Sequence, residues 1–169
     1  MSVPNRRVYY SALIKGIKRL SYVNMVVNSG KILLIDDDAE SLNVLYEVLS
    51  RGGYEVDCAE NGYDAIQIIR QNVISLVISD YDLPDTTGPE LIQQIRQIYP
   101  DLSAIIMSAN RSSNVKLKAF EAGVYTFIAK PINLPQILKS VSQALNYKQN
   151  TIQVKKSFFF RWTRTIKLK

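Results

Sequence analysis

Short apolar runs that end in polar or charged residues recur along the middle of the chain. Runs of four to six apolar residues bounded by turn signals are typical of buried strands, and alternation of apolar with polar residues is typical of a strand near a sheet edge. Five such segments predict strands, and the second of them alternates: Lys31–Ile35, Tyr54–Cys58, Leu76–Asp80, Ala104–Met107 and Tyr125–Ala129.

Each predicted strand is followed by a segment with the spacing of a helix. The predicted helices are Ala39–Arg51, Tyr63–Gln71, Pro89–Tyr99, Asn114–Glu121 and Asn133–Tyr147. Gly52 and Gly53 would end the first helix, and Pro100 the third. Strands that alternate with helices imply a parallel sheet with right-handed crossovers. A chain of 169 residues has room for one core of ordinary size, so the predicted fold class is α/β, doubly wound, in a single domain.

Acidic residues end two of the predicted strands. Asp36, Asp37 and Asp38 follow the first apolar run, and Asp80 ends the third. Open parallel sheets place ligands beyond the carboxyl ends of their strands. Two carboxylates about 4 Å apart repel by roughly 4 kcal/mol at an effective dielectric near 20. An acidic pocket therefore favours a cation, and Mg²⁺ suits one or two carboxylates with phosphate oxygens. Asp38 is instead expected to cap the following helix.

A hydroxyl and an ammonium end the next two strands, because Ser108 follows the fourth apolar run and Lys130-Pro131 follows the fifth. Together with the acids they could bind a phosphoryl group. The motifs Ile35-Asp36-Asp37-Asp38, Ser79-Asp80-Tyr81-Asp82-Leu83-Pro84, Met107-Ser108-Ala109 and Lys130-Pro131 resemble the receiver domain of bacterial response regulators. The resemblance covers about residues 31–146.

The resemblance implies a flavodoxin-like sheet with strand order 2-1-3-4-5 and assigns Asp80 as the phosphoacceptor. Mg²⁺ would be held by Asp37, by Asp80 and by the backbone carbonyl of Asp82, with Asp36 acting through a coordinated water. Charge neutralisation by the metal is most of what phosphoryl transfer needs.

Other site residues also follow from the resemblance. Lys130 would pair with one phosphoryl oxygen and Ser108 would donate a hydrogen bond to another. Phe127 matches the aromatic switch residue that turns inward when Ser108 moves, although it could equally be an ordinary strand aromatic. Asp82 and Asn110 would line the entrance and set the lifetime of the aspartyl phosphate. The Lys130-Pro131 peptide bond is expected to be cis.

Charge divides the chain into three parts. Residues 1–29 carry five Lys or Arg and no acid, and residues 148–169 carry seven and no acid. Residues 30–147 hold all 15 acidic residues and nine basic ones, so the domain is acidic within a chain of net charge +6. The predicted organisation is a basic N-terminal extension (1–29), a receiver domain (30–147) and a basic, aromatic C-terminal tail (148–169).

The two basic ends have open interpretations. In residues 1–24, apolar positions 10, 13, 14, 17 and 20 would share one face of a basic amphipathic helix. The alternative is that this stretch is an extension without regular structure. The tail places Phe158, Phe159, Phe160 and Trp162 among Lys and Arg. It is either a docked or flexible tail, or a contact for anionic membranes or single-stranded nucleic acid. No apolar run approaches the ~20 residues of a membrane span, and a DNA-binding domain is not expected.

Residue counts exclude several chemistries. The chain has no His and only one Cys, Cys58, so a disulfide framework and His-based catalysis are excluded, and a cytoplasmic location is expected.

The predicted function is that of a single-domain response regulator. A sensor histidine kinase or phosphotransfer protein would phosphorylate Asp80, and the modified domain would then contact an unknown downstream protein. The chain would be a signalling protein and not an enzyme in the usual sense. The alternatives are an adaptor that acts through its basic ends without phosphorylation, and a haloacid-dehalogenase-like phosphatase. Against the phosphatase, Asp36 and Asp37 precede Asp80, whereas that family's metal-binding acids follow the nucleophile.

Overall fold

The computed structural model describes residues 30–147, which alternate strand and helix throughout. The strands are β1 (Lys31–Ile35), β2 (Glu55–Ala59), β3 (Ile74–Asp80), β4 (Ser103–Ser108) and β5 (Thr126–Ala129). The helices are α1 (Ala39–Arg51), α2 (Gly62–Gln71), α3 (Gly88–Ile98), α4 (Ser113–Glu121) and α5 (residues 134–147). The predicted extension (1–29) and tail (148–169) lie outside the described residues.

The five strands form one parallel sheet in the order β2-β1-β3-β4-β5. This confirms the predicted fold and strand order, and it places the alternating strand β2 at an edge. In the register of the sheet, Ile35 pairs with Ser79, Asp80 with Met107, and Ser108 with Ala129. The polar residues that end these strands therefore lie along one edge, the carboxyl edge of the sheet.

Helices cover both faces of the sheet, because alternate strand residues point to opposite sides. On one face, Leu33, Val77 and Ile106 pack in a buried cluster with apolar residues of α2, α3 and α4. On the other face, Leu34, Ile78 and neighbouring strand residues pack with α1 and α5. The central strands are buried on both sides, which explains why they read as continuous apolar runs.

Side-chain caps decide where the helices begin. Asp38 accepts a hydrogen bond from the Glu40 N–H at 3.0 Å, which confirms its predicted role as the cap of α1. Asn61, Thr87 and Ser112 cap α2, α3 and α4 in the same way, so each of these helices begins one residue earlier than its apolar pattern predicts. Within residues 30–147, no helix is both long enough and apolar enough to cross a membrane.

Substitution of Gly88 tests how closely α3 packs against the end of β3. A Cβ atom on Gly88 would collide with the backbone oxygen of Asp80 and lie 2.8 Å from Cδ1 of Ile106. Because backbone cannot yield as a flexible side chain can, we expect Gly88→Ala to lower the free energy of unfolding by about 1–3 kcal/mol. Urea denaturation measures this change.

Gly52→Ala is the matched control. Gly52 has a helical φ of −72°, and the nearest obstacle to its added Cβ is the tip of the Leu138 side chain at 3.0 Å. The expected change is within about 1 kcal/mol. Equal destabilisation by the two substitutions would contradict the close approach at Gly88.

Candidate functional site

Two buried carboxylates share one lysine at the carboxyl edge of the sheet. Asp36 follows β1 and is fully buried, and Asp80 ends β3 and is 6% exposed. The Lys130 ammonium, which follows β5, lies 2.9 Å from Oδ2 of Asp36 and forms an ion pair with Oδ1 of Asp80. The ammonium therefore balances two acids that would otherwise repel each other in a poorly solvated pocket.

The backbone completes the environment of both acids. Oδ1 of Asp36 accepts a hydrogen bond from the Asp38 N–H at 3.1 Å, and Oδ2 of Asp80 accepts one from the Asp82 N–H at 2.9 Å. Oδ1 of Asp80 is buried and accepts no well-directed hydrogen bond, so the Lys130 ammonium is its partner.

The ionisation of Asp80 and Lys130 reflects burial and mutual contact. Burial raises the pKa of Asp80, and it outweighs the Lys130 ammonium and the Asp82 N–H, which lower it. Burial would lower the pKa of Lys130, but contacts with Asp80 and Asp36 together raise it above its usual value. The two pKa shifts are consistent with each other, because Lys130 has two acidic partners whereas Asp80 and Asp36 share one cation. Lys130 therefore stays charged, and ionised Asp80 is held at a cost.

The other predicted metal residues lie beside this pair. Asp37 and Asp82 are exposed, and each is within two residues of a buried acid in the chain. No group of three or more His, Cys, Asp or Glu in residues 30–147 is arranged to enclose a metal ion. Mg²⁺ usually takes only one or two carboxylates and keeps several waters. The donors present fit such an open site, in which phosphoryl oxygens and water would supply the remaining ligands.

Ser108 and Asn110 organise the loop between β4 and α4. Ser108 is fully buried, and its Oγ accepts a hydrogen bond from the Asn110 N–H at 3.0 Å. Oδ1 of Asn110 accepts from the Ser112 N–H at 3.0 Å, and Ser112 caps α4. The position of the Ser108 hydroxyl is thus linked by two hydrogen bonds to the start of α4.

The end of β5 directs Lys130 toward the pocket. The Lys130 N–H donates to the Ser108 carbonyl at 2.8 Å, and the Lys130-Pro131 bond is cis, as predicted. Phe127 pairs in register with Ile106 and packs, partly buried, against the core cluster that contains α4. Its role as a switch stays a prediction.

Two residues of the site edge were not predicted from the sequence. A guanidinium N–H of Arg111 donates to the Lys130 carbonyl at 2.9 Å, which ties the β4–α4 loop to the residue that carries the ammonium. The Asp85 carboxylate accepts from the Gly62 and Tyr63 N–H groups, both at 2.8 Å, and these bonds lower its pKa. Asp85 thereby joins the loop after Asp80 to the start of α2. The sequence shows that both residues lie in loops that follow strands, but only the tertiary structure identifies their backbone partners.

Comparisons with known proteins agree with this geometry. The DNA-binding transcriptional regulator NtrC of Bradyrhizobium sp. (strain RP501 Parasponia) is 34% identical over 117 residues, which are 69% of this chain and 24% of that protein. The transcriptional regulatory protein GlrR of Escherichia coli (strain K12) is 31% identical over 114 residues, which are 68% of this chain and 26% of the relative. The chain thus spans about a quarter of these relatives, and what their names say of DNA and transcription belongs to them.

Solved structures give the same result for the fold. A CheY-like receiver domain protein from Methanospirillum hungatei JF-1 is similar with a TM-score of 0.70 and 26% identity, over 73% of this chain and 98% of that one. A putative response regulator from Chloroflexus aurantiacus J-10-fl has a TM-score of 0.67 and 31% identity, over 70% and 98% of the two chains.

A family profile settles the assignment. The profile of the response regulator receiver domain matches residues 32–142, which are more than half of the chain. Domains of this family accept phosphoryl groups in two-component signalling, and Mg²⁺ binding is a general feature of them. The chain therefore belongs to the response regulator receiver domain family.

Proposed function

We propose that this chain is a response regulator whose Asp80 accepts a phosphoryl group from a histidine kinase or a phosphotransfer protein. The observation that carries the proposal is the buried Asp80 carboxylate at the carboxyl edge, paired with Lys130 and backed by Asp36. A structural ion pair would need one acid. A second buried acid on the same ammonium costs desolvation free energy, and a phosphoryl-binding site explains why that cost is tolerated.

Phosphoryl transfer would use one Asp80 oxygen as the nucleophile. Oδ1 faces the Lys130 ammonium, where the phosphoryl group would be bound, whereas Oδ2 accepts a hydrogen bond from the Asp82 N–H. We therefore assign the attack to Oδ1. A bond forms between Oδ1 and phosphorus while the bond from phosphorus to the donor nitrogen or acyl oxygen breaks, and the donor leaves with that electron pair. The attacking carboxylate must be ionised.

Lys130 would change partners during the reaction. In the described structure its ammonium pairs with Oδ1 of Asp80 and with Asp36. Once Oδ1 becomes the bridging oxygen of the acyl phosphate it loses most of its charge, and the ammonium is free to pair with a non-bridging phosphoryl oxygen nearby. Asp36, whose Oδ2 lies 2.9 Å from the ammonium, would hold the ammonium in place during the transfer. Positive charge that is already in position is the main catalytic contribution of such a site.

We assign Mg²⁺ binding to the exposed side of the pocket. Asp37, Asp80 and the Asp82 carbonyl would hold Mg²⁺, with Asp36 acting through a coordinated water. When bound, Mg²⁺ supplies positive charge for the phosphoryl oxygens. Asp37 is exposed, so it can exchange water for a metal without breaking the buried ion pairs.

A change in the hydrogen bonding of Ser108 would transmit phosphorylation of Asp80 to α4. Its Oγ now accepts from the Asn110 N–H, and donation to a phosphoryl oxygen would pull on the loop that begins α4. Phe127 packs against the cluster that includes α4, so a shift of this loop would open space for the ring to turn inward. Asp82 and Asn110 are exposed at the entrance and would set how quickly water reaches the aspartyl phosphate.

Asp80→Asn tests the acceptor directly. Incubation with acetyl phosphate and Mg²⁺ should add one phosphoryl group to the wild-type chain and none to the variant, because the carboxamide is not a nucleophile. Intact-protein mass spectrometry measures the product. Asp38→Asn is the control, since Asp38 caps α1 and its substitution should leave labelling in place. Undiminished phosphoryl addition to the Asp80 variant would refute the assignment.

Asp37→Asn tests the metal site, and Asp38→Asn, which removes the same charge from the next residue, is the control. We expect it to weaken Mg²⁺ binding at least about tenfold, since a hard cation loses a charged oxygen ligand, whereas Asp38→Asn should bind Mg²⁺ like the wild type. Isothermal calorimetry without a phosphodonor measures both. If the two substitutions weaken binding equally, the effect is one of general negative charge, and Asp37 is not a ligand.

A further inference from the structure

The loop between β3 and α3 is tied to the start of α2 through the Asp85 carboxylate. Oδ1 of Asp85 accepts a hydrogen bond from the Gly62 N–H and Oδ2 accepts one from the Tyr63 N–H, each at 2.8 Å. Beside these bonds the loop and the helix are in close contact, since a Cβ atom on Gly62 would lie 2.6 Å from Cγ2 of Thr86. Asp85 thus directs both of its oxygens to α2.

The first turn of α2 has a second acceptor, which is local. Oδ1 of Asn61 accepts a hydrogen bond from the Asp64 N–H at 2.8 Å, which is the usual position of an Asn cap. The Asp85 bonds instead span 22 and 23 residues of the chain. Loss of Asp85 would therefore leave the local cap of α2 in place but detach the loop from the helix.

The loop itself is a short antiparallel turn. Asp82 and Thr87 oppose each other in an antiparallel bridge. Inside this bridge the Leu83 N–H donates to the Thr86 carbonyl at 3.2 Å. Asp85 stands at the tip of the turn, so its contact with α2 holds the turn as a unit.

The turn directs the backbone of Asp82 toward the phosphoacceptor. The bonds of the bridge are made by the residues that flank Asp82 and Thr87, so the N–H and the carbonyl of Asp82 both point away from Thr87. The N–H donates to Oδ2 of Asp80 at 2.9 Å. The Asp82 carbonyl therefore lies on the same side of the turn as the Asp80 carboxylate, and its position depends on that of the turn.

We propose that Asp85 is a positioning residue for Mg²⁺ binding, because it holds the turn of residues 82–87 against α2 and so keeps the Asp82 carbonyl in place to receive the metal. This role rests on the proposed function, in which that carbonyl is a metal ligand. Removal of a side chain that orients a metal ligand directly typically lowers metal affinity roughly 10- to 100-fold. Asp85 acts through the intervening backbone, so we expect a smaller loss of at least about threefold.

Asp85→Ala in the full chain tests this role, and Asn61→Ala is the matched control. The first substitution detaches the turn from α2, whereas the second removes the local cap of the same helix and leaves the turn attached. Isothermal calorimetry without a phosphodonor should show Mg²⁺ affinity at least about threefold lower for Asp85→Ala than for Asn61→Ala. Both variants are measured well below their midpoints of thermal unfolding, so a loss of helix stability does not enter the comparison.

Gly62→Ala separates positioning from charge. Its added Cβ would press on Cγ2 of Thr86 and displace the turn without removing a charge, so Mg²⁺ affinity should fall below that of Asn61→Ala. Asp38→Asn removes a charge without touching the turn and should bind Mg²⁺ like the wild type. A loss of affinity in Asp85→Ala that Asp38→Asn reproduces and Gly62→Ala does not would overturn the proposal in favour of general electrostatics.

Amide hydrogen exchange of the metal-free chain measures the turn directly. The Leu83 N–H is bonded inside the turn, so it should exchange faster in Asp85→Ala than in the wild type, because local opening of the turn becomes easier. Its exchange in Asn61→Ala should match the wild type. An unchanged Leu83 exchange rate in Asp85→Ala would show that Asp85 does not hold the turn.

The same experiments distinguish failure of this role from failure of the proposed function. A wild type that neither binds Mg²⁺ nor is labelled by acetyl phosphate would overturn the proposed function, and the role of Asp85 with it. A wild type that does both, with equal Mg²⁺ affinity in Asp85→Ala and Asn61→Ala, would overturn the role of Asp85 alone. If Asp85→Ala does not fold, Asp85→Asn, which keeps one acceptor oxygen, takes its place with the same expected order of affinities.

Discussion

The arrangement of the site depends on a single ammonium that must reach two buried carboxylates on different strands. Lys130 follows β5, whereas Asp80 ends β3 and Asp36 follows β1. β4 lies between β5 and β3. Neighbouring strands are about 4.8 Å apart, so only a long side chain can cross β4 to reach the acids. The residue that ends β4 is Ser108, a small residue that is fully buried.

This constraint explains why the fold and the site could largely be predicted together from the sequence. Strands buried on both faces appear as apolar runs, and the site residues stand directly after them, so locating β1, β3, β4 and β5 also located Asp36, Asp80, Ser108 and Lys130. Strand order was available only through the family resemblance, because periodicity carries no information about neighbours. The starts of α2, α3 and α4 were displaced by one residue, because a polar cap sets the start and the apolar pattern does not.

Contacts between distant loops could not be predicted. Arg111 and Asp85 stand in polar loops where many side chains are simply solvated, and their backbone partners are 19 and 22–23 residues away in sequence.

The buried pocket keeps the Asp80 carboxylate ionised at a cost to stability. Burial raises its folded-state pKa above the ordinary value of 3.8. Its protonated form therefore supports folding below pH ~4, and this contribution is lost as pH rises through the folded-state pKa. Asp80→Asn lacks this loss, because its carboxamide stays neutral, and Asp36 still neutralises Lys130.

The decisive measurement is the free energy of unfolding of the wild type and of Asp80→Asn, by urea denaturation without metal at pH 4 and pH 7.5. The variant should be the more stable protein at pH 7.5, and its advantage should shrink toward pH 4. A variant that is less stable than the wild type at pH 7.5, or a difference that does not change with pH, would contradict it.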